Sequence, residues 1–304
     1  MKGRGLTATA FSVGDLTLIR KGDFPVTTIY LSIAGLRWRL ESPHPLTVAD
    51  RMTPFLTEEG IADVTVCLSP CDTLPSARGL WHGPTCYGAG ESWHADTPNG
   101  APYAHIRREG KRLITIDYLP TATDAFSGTG GVFNHIGVES ILLSHGIAVL
   151  HASFIRYRDK AVLFCGKSGV GKSTQASLWQ QHRGAEVLNG DRAAIRQVDG
   201  AWQAFGLPFA GTSGIYRCER APLAAIVFPD HAPQTLLYTP DSGEAMRLLY
   251  PQISHRRTDP TQTVAVMDFV TALLEQVPLF RLLCLPNEEA VDRLHHTLTQ
   301  GGLL

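Results

Sequence analysis

The chain has 304 residues, of which 44% are hydrophobic and 18% are charged, and its formal net charge is -1. This balance is typical of a globular protein, and it argues against a nucleic-acid partner or an anionic membrane surface, which would favour a strongly basic chain. No apolar run reaches the roughly 18 residues that span a bilayer, and the first residues lack the pattern of a signal peptide. We therefore expect a cytoplasmic protein with no membrane partner.

Residues 1–125 are predicted to form a smaller, mixed α/β region that serves as an accessory or substrate-recognition part. Three segments are rich in β-branched and aromatic residues and predict strands or hairpins, namely 27–41, 62–69 and 111–119. Residues 46–56 predict a short helix. Between Pro70 and Tyr103 the chain is rich in Gly, Pro, Ser, His and Cys, which predicts a functional loop, a lid or a disordered excursion.

Four residues of this region have nearly the spacing of zinc ligands. Cys67, Cys71, His82 and Cys86 form the pattern C-x3-C-x10-H-x3-C. The alternative is that Cys67 ends a strand and that the others are loop residues. We favour the alternative because no paired CxxC supports a metal site, and we expect the cysteines of this chain to be reduced thiols.

Residues 126–304 are predicted to form one catalytic domain, because strands and helices alternate from this soft boundary onward. The first element is one buried helix over 132–146, which ends at Gly146. In chain order the elements that follow are strands over 147–157 and 161–165, a helix from Ser173, strands over 185–191 and 223–228, a helix from about Ser242, a helix over 263–277, a strand over 279–285 and a helix capped by Asn287.

A glycine-rich sequence, GKSGVGKS, lies between a predicted strand and a predicted helix and fits the phosphate-binding pattern G-x-x-x-x-G-K-[ST], the Walker A motif. Its glycines allow the backbone amides to surround an anion, and the helix presents its positive end to the same phosphates. Lys172 can bridge the β- and γ-phosphates, and the Ser173 hydroxyl can ligate Mg²⁺. The predicted site for ATP, or another nucleoside triphosphate, with Mg²⁺ consists of Gly166, Lys167, Ser168, Gly169, Val170, Gly171, Lys172, Ser173 and Thr174.

Two further residues are candidates for the chemistry. Asp191 ends the strand predicted about twenty residues after the loop, where a parallel neighbouring strand would bring its carboxylate to the Mg²⁺. The alternative is a turn aspartate paired with Arg192. His151 lies in an apolar strand before the loop, where a lone histidine is more often a core residue, although it could face the γ-phosphate.

The stretch from Leu150 to Ile195 resembles the catalytic core of HPr kinase/phosphorylase. Members of that family phosphorylate a protein serine with ATP and Mg²⁺, and their fold is akin to that of phosphoenolpyruvate carboxykinase. The resemblance extends over residues 131–298 and implies an α/β fold with an HPr kinase-like P-loop core. It also places His151 at the position of the family's active-site histidine and Asp191 at the second aspartate of its "DD" pair.

The chain departs from that family in ways that concern the acceptor. Gly190 replaces the first aspartate of the pair, so Asp191 or His151 would have to act as the base. The family's glycine-centred downstream signature is absent, and the N-terminal part does not resemble the HPr kinase N-terminal domain, so we do not expect HPr as the acceptor. Residues 133–153, 188–192, 208–214 and 221–228 are more similar to HPr-kinase-related proteins of peptide natural-product pathways, including lasso-peptide kinases that phosphorylate a C-terminal serine.

These patterns predict a Mg²⁺-dependent kinase that transfers the γ-phosphate of ATP to a serine hydroxyl of a peptide or protein. Arg217, in a Gly/Ser/Thr-rich loop, is a candidate for clamping the γ-phosphate or a substrate carboxylate, and the alternative is a solvated arginine beside Glu219. Two other functions stay open: a nucleotide-dependent switch or assembly ATPase, and a small-molecule kinase on the same fold. The oligomeric state also stays open, and a homo-oligomer is compatible with the sequence.

Overall fold

A computed structural model of the chain describes residues 26–304. Within this range the strands form two eight-stranded sheets, and a 3-10 helix and two short α-helices lie between them in the chain. The mixed α/β class expected from the sequence is therefore confirmed. The boundary near residue 125 stays a prediction, and the part of the predicted N-terminal region before residue 26 lies outside the described residues.

The first sheet contains the strands β1 (Thr27–Ile33), β2 (Leu36–Ser42), β3 (Val64–Pro70), β4 (Leu80–His82), β5 (Thr85–Tyr87), β6 (Glu91–Ala95), β7 (Pro102–Glu109) and β8 (Leu113–Tyr118). Their order across the sheet is β1-β2-β3-β8-β7-β6-β5-β4. The strands β2, β3 and β8 run parallel, and the other neighbours are antiparallel. The hairpin between β1 and β2 turns at Ala34 and Gly35, which both have positive φ, as a tight two-residue hairpin turn requires.

The prediction of a long irregular segment between Pro70 and Tyr103 was wrong. The strands β4, β5 and β6 lie there and extend the first sheet by three antiparallel strands. They have only three to five residues each, which is too short for an alternating apolar pattern to stand out among the turn residues. The short helix predicted over 46–56 is a 3-10 helix at Asp50–Phe55, and a second one lies at Pro120–Phe126.

The single helix predicted over 132–146 is two helices, α1 (Thr129–His135) and α2 (Val138–Ser144). The break lies at Gly137, whose φ of 61° belongs to the left-handed region and cannot continue a right-handed helix. Gly146, with φ of 72°, follows the second helix as predicted for its end.

The second sheet and its helices consist of β9 (Ala148–Tyr157), β10 (Lys160–Cys165), α3 (Lys172–Arg183), β11 (Glu186–Asn189), β12 (Arg192–Val198), β13 (Ala201–Gly206), β14 (Arg220–His231), β15 (Leu236–Tyr238), α4 (Ser242–Leu249), α5 (Pro260–Leu274), β16 (Leu279–Cys284) and α6 (Glu288–Gln300). In this sheet β10 lies between β9, which is antiparallel to it, and β14, which is parallel to it. The strand β14 is in turn parallel to β16. Most of the predicted strands and helices are confirmed, whereas the hairpin β12–β13 and the strand β15 were not predicted.

Buried apolar side chains join these layers. One cluster contains Trp38 and Phe133 together with Val149 and Phe205, so both sheets contribute to the same core. The helices α4 and α5 cover one face of the second sheet, and α3 and α6 cover the other. No helix among the described residues is long and apolar enough to cross a membrane.

Candidate active site

The glycine-rich loop that fits the phosphate-binding pattern, called the phosphate loop below, lies at the carboxyl end of β10, directly before α3, as the sequence predicts. Gly166, Gly169 and Gly171 all have positive φ, and Gly171 is the N-cap of α3. A Cβ at Gly169 or Gly171 would meet no atom within 4 Å, so backbone conformation rather than lack of space requires glycine there. The space beside Gly169 and Gly171 is therefore open.

Lys172 begins α3 and is buried, with 7% of its surface exposed. Its Nζ donates hydrogen bonds to the carbonyl oxygens of Gly166, at 2.9 Å, and Lys167, at 3.0 Å. Burial lowers the pKa of Lys172, and the nearby Asp191 carboxylate opposes that shift. Neutral carbonyls are weaker partners for an ammonium than anionic oxygens are. The ammonium is thus held where phosphate oxygens could replace its present partners.

A cavity of about 490 Å³ opens beside the loop, which is in the usual range for a small-molecule site. It brings together most of the residues singled out in the sequence: the loop, His151 and Asp191. Its lining consists of His151, Ser168, Gly169, Gly171, Lys172, Ser173, Thr174, Gly190, Asp191, Ser213 and His231.

His151 and Asp191 are 40 residues apart in the chain and hydrogen-bonded in the structure, with 2.9 Å between Nε2 and Oδ1. The predicted route for Asp191 was wrong, since β11 is no parallel neighbour of β10. Both β11 and β12 pair antiparallel with β9, and Asp191 lies in the kink between them. The carbonyl oxygen of Asp191 accepts from the amide of Ala152, which ties the kink to β9 beside His151.

Asn189 holds this kink in shape, and the sequence analysis missed it. Its side chain is fully buried. Its Oδ1 accepts from the amides of Asp191 and Arg192, each at 2.9 Å, and its Nδ2 donates to the carbonyls of Leu207 and Phe209. The tendency of asparagine to accept from the backbone two residues later was the available signal. We regard Asn189 as a positioning residue for Asp191.

Gly190, at the position of the missing aspartate, lies directly against Ser213. A Cβ built on Gly190 would overlap both the Cβ and the Oγ of Ser213. Gly211, two residues before Ser213, approaches Asp191 closely, since a Cβ built on Gly211 would lie 2.7 Å from the Asp191 Cγ. The turn at Gly211–Ser213 therefore closes this side of the cavity and fills the space in which a side chain at position 190 would begin.

We expect the Gly190→Ala substitution to destabilise this contact by about 1 kcal/mol, the low end for overpacking, because the turn lies at the surface. Gly190 does not have positive φ, so the effect is steric. Urea unfolding in a double-mutant cycle measures it. The cost should largely vanish in a Ser213→Gly background and persist in a Ser213→Ala background, because alanine keeps the overlapping Cβ. Equal costs in both backgrounds would contradict this contact.

The remaining predicted residues are divided between the cavity and its surroundings. Ser168, Ser173 and Thr174 line the cavity, whereas Lys167 is exposed and Val170 lines a small neighbouring cavity. Arg217 is half exposed, with its Nη1 3.9 Å from Glu186 and 3.7 Å from Glu219, and it is not among the residues that line the cavity.

His231, a residue of the cavity, was not singled out in the sequence. It ends β14 and lines the cavity, with its Nε2 3.4 Å from the Gly169 carbonyl oxygen. Arg192, named in the sequence as the alternative partner of Asp191, does lie beside it, with 3.7 Å between its Nε and the Asp191 Oδ2. The Nη1 of Arg192 donates to Glu139 and to Ser254, each at 3.1 Å.

The four residues with zinc-like spacing do not come together. Cys67 lies on β3 and Cys86 on β5, four strands apart, which corresponds to about 19 Å. Over residues 26–304, no three His, Cys, Asp or Glu side chains are grouped as a metal site. None of the six cysteines, all within the described range, forms a disulfide. The zinc hypothesis was therefore wrong, and the expectation of reduced thiols stays a prediction.

No protein-family model matches the chain, and no curated protein matches it. Among solved structures, the chain is similar to that of the Hpr(Ser) kinase/phosphatase from Coxiella burnetii, with 13% identity and a TM-score of 0.29; the match covers 51% of this chain and 93% of that one. At this TM-score the likeness carries no conclusion about fold or activity.

Proposed function

We propose that this protein is a Mg²⁺-dependent kinase that transfers the γ-phosphate of ATP to a serine hydroxyl of a peptide or protein. The observation that carries the proposal is that one cavity contains the Walker A lysine, Lys172, and the hydrogen-bonded pair of His151 and Asp191. The sequence resemblance to HPr kinase and to HPr-kinase-related peptide kinases supports the same kinase function. The proposal includes an α/β fold around a P-loop core like that of HPr kinase.

The residues present fit a nucleotide with Mg²⁺. Open space beside Gly169 and Gly171, the amino-terminal end of α3 and the Lys172 ammonium together suit a chain of phosphates. Mg²⁺ is commonly bound by one or two protein oxygens together with phosphate oxygens and water. The Ser173 hydroxyl and the Asp191 carboxylate line the same cavity and would supply those protein oxygens. When bound, Mg²⁺ neutralises charge on the phosphates.

The pair of His151 and Asp191 would receive the proton of the acceptor hydroxyl. Each group is within hydrogen-bond distance of the other, and each lines the cavity, so each orients its partner toward the space for the acceptor. Because Asn189 fixes the backbone on either side of Asp191, this orientation costs little when an acceptor binds. The phosphate loop and the pair would thus position donor and acceptor in one cavity.

The test is to incubate the purified protein with ATP, Mg²⁺ and serine-containing peptides, and to measure ADP release and peptide mass. We expect ADP release that depends on the peptide, with one phosphoryl group added to a serine, and no addition to a matched peptide with alanine at that position. Robust ATP hydrolysis that needs no acceptor would contradict the kinase and favour a switch or assembly ATPase. Transfer to a small molecule but to no peptide would favour a small-molecule kinase.

A further inference from the structure

A second cavity, of about 80 Å³, lies where the first sheet meets the junction of α1 and α2. It is separate from the active-site cavity and takes no part in the proposed mechanism. Two arginines from distant parts of the chain face it, Arg108 from β7 and Arg256 from the segment between α4 and α5. Tyr87, Glu91 and Ser140 also line it.

Arg108 has carbonyl oxygens as its hydrogen-bond partners. Its Nη2 donates to the carbonyl of Ile136 at 2.7 Å and to that of Gly137 at 3.2 Å, at the break between the two helices. Burial, together with the positive charge of Arg256, lowers the pKa of Arg108 to about 10. Holding a guanidinium in this environment costs free energy that neutral carbonyls offset only in part.

Arg256 lines the same cavity as Arg108. Its guanidinium carbon lies 4.6 Å from the centre of the Tyr87 ring, and its Nη2 is 2.6 Å from Oδ2 of Asp259. That carboxylate oxygen is shared, because it also accepts from the side chain of Gln262. Among the described residues of the cavity wall, Glu91 supplies the one carboxylate, and its Oε2 is 2.9 Å from Nε2 of the buried His105.

We propose that the Arg108–Arg256 cavity binds one oxyanion group, a carboxylate or a phosphate. Two guanidiniums that face one small cavity offer several N–H donors to such a group, and paired charge-assisted hydrogen bonds of this kind are the ones arginine forms best. An anion between the two arginines also relieves their mutual repulsion. The cavity has room for a few water molecules, and hence for a single oxyanion group rather than a nucleotide.

Arg192 connects the surroundings of this cavity with the active site. The cavity wall includes Ser140, which follows Glu139, and Arg256, which comes two residues after Ser254. Glu139 and Ser254 both accept from Arg192, the residue after Asp191. We assign the acidic group to the acceptor, because these contacts through Arg192 join the wall of the cavity to Asp191. This last step rests on the proposed function, whereas binding of the oxyanion does not.

The test measures anion binding by calorimetry and thermal unfolding at constant ionic strength, without ATP. Because the phosphate loop also binds oxyanions, the measurements use the Lys172→Ala protein. The probes are inorganic phosphate, N-acetylglycine and its uncharged amide. We expect saturable binding of phosphate, of N-acetylglycine or of both, and no binding of the amide. The Arg256→Gln substitution should weaken binding about tenfold or more, the loss expected for a charge-assisted hydrogen bond.

Arg293→Gln is the matched control, because Arg293 is an exposed arginine on α6 that lines neither cavity, so its loss should leave binding unchanged. If Arg256→Gln does not fold, Arg256→Lys keeps the charge and loses the paired geometry, and it should still weaken binding. Binding of phosphate alone or of the carboxylate alone supports the site and identifies the group. No saturable binding, or equal binding in the Arg256 variants, overturns it. Since the assay involves no phosphoryl transfer, its result is independent of the kinase test.

Discussion

The Lys172→Ala variant is expected to lose phosphoryl transfer by a factor of at least about 10² to 10³, the effect of removing one preorganised positive group from a developing transition-state charge. The ammonium has two neutral carbonyl partners in the loop. Alanine therefore breaks no ion pair in the phosphate loop, and the protein should remain folded. Steady-state kinetics with ATP and an acceptor peptide measure the loss.

The kinetic pattern separates binding from catalysis. If Lys172 acts on the γ-phosphate in the transition state, kcat falls by more than KM for ATP rises. Lys160→Ala is the control, since this exposed lysine begins the same strand, β10, away from the loop. Full activity in Lys172→Ala would remove the phosphate loop from the mechanism.

The Asp191→Asn variant is expected to lower kcat by about 10² to 10⁴, the range for removing a group that handles a proton in the transition state. The substitution keeps the size of the side chain and removes its charge. The backbone at this position is held by Asn189 and by the amide of Ala152, so the cavity should keep its shape. The rate of peptide phosphorylation at saturating ATP measures the effect.

Two additional measurements distinguish the roles open to Asp191. If it chiefly ligates Mg²⁺, a higher Mg²⁺ concentration should restore part of the activity of Asp191→Asn. If it receives the proton, Mg²⁺ should not help, and His151→Asn should show a smaller loss than Asp191→Asn. Asp268→Asn, at an exposed position on α5, is the control for loss of an aspartate charge. Unchanged activity in Asp191→Asn would remove the carboxylate from the proposed chemistry.

The sequence predicted the elements around the phosphate loop because their signals are local. The strands β9 and β10 are long apolar runs, the loop is a dense glycine pattern, and α3 follows it directly. The helix over 263–277 was also predicted, because apolar residues repeat there at three- and four-residue spacing, and Val266, Val270 and Leu273 are buried on one side of α5. The failures were short strands such as β4 and β5, and the break at Gly137, where one left-handed residue divides a continuous apolar pattern.

The sequence by itself determined the phosphate loop, since loop shape follows from glycines that accept positive φ and from the helix that starts beside them. Only the tertiary structure decided which residues meet it. His151 and Asp191 meet because β11 and β12 both pair with β9, and Gly190 has no room for a side chain because the turn at Ser213 packs on it. Arg108 and Arg256 likewise face one cavity, the first from a strand of the first sheet and the second from the segment between α4 and α5. Such contacts join residues far apart in the chain, and no local pattern of residue types specifies them.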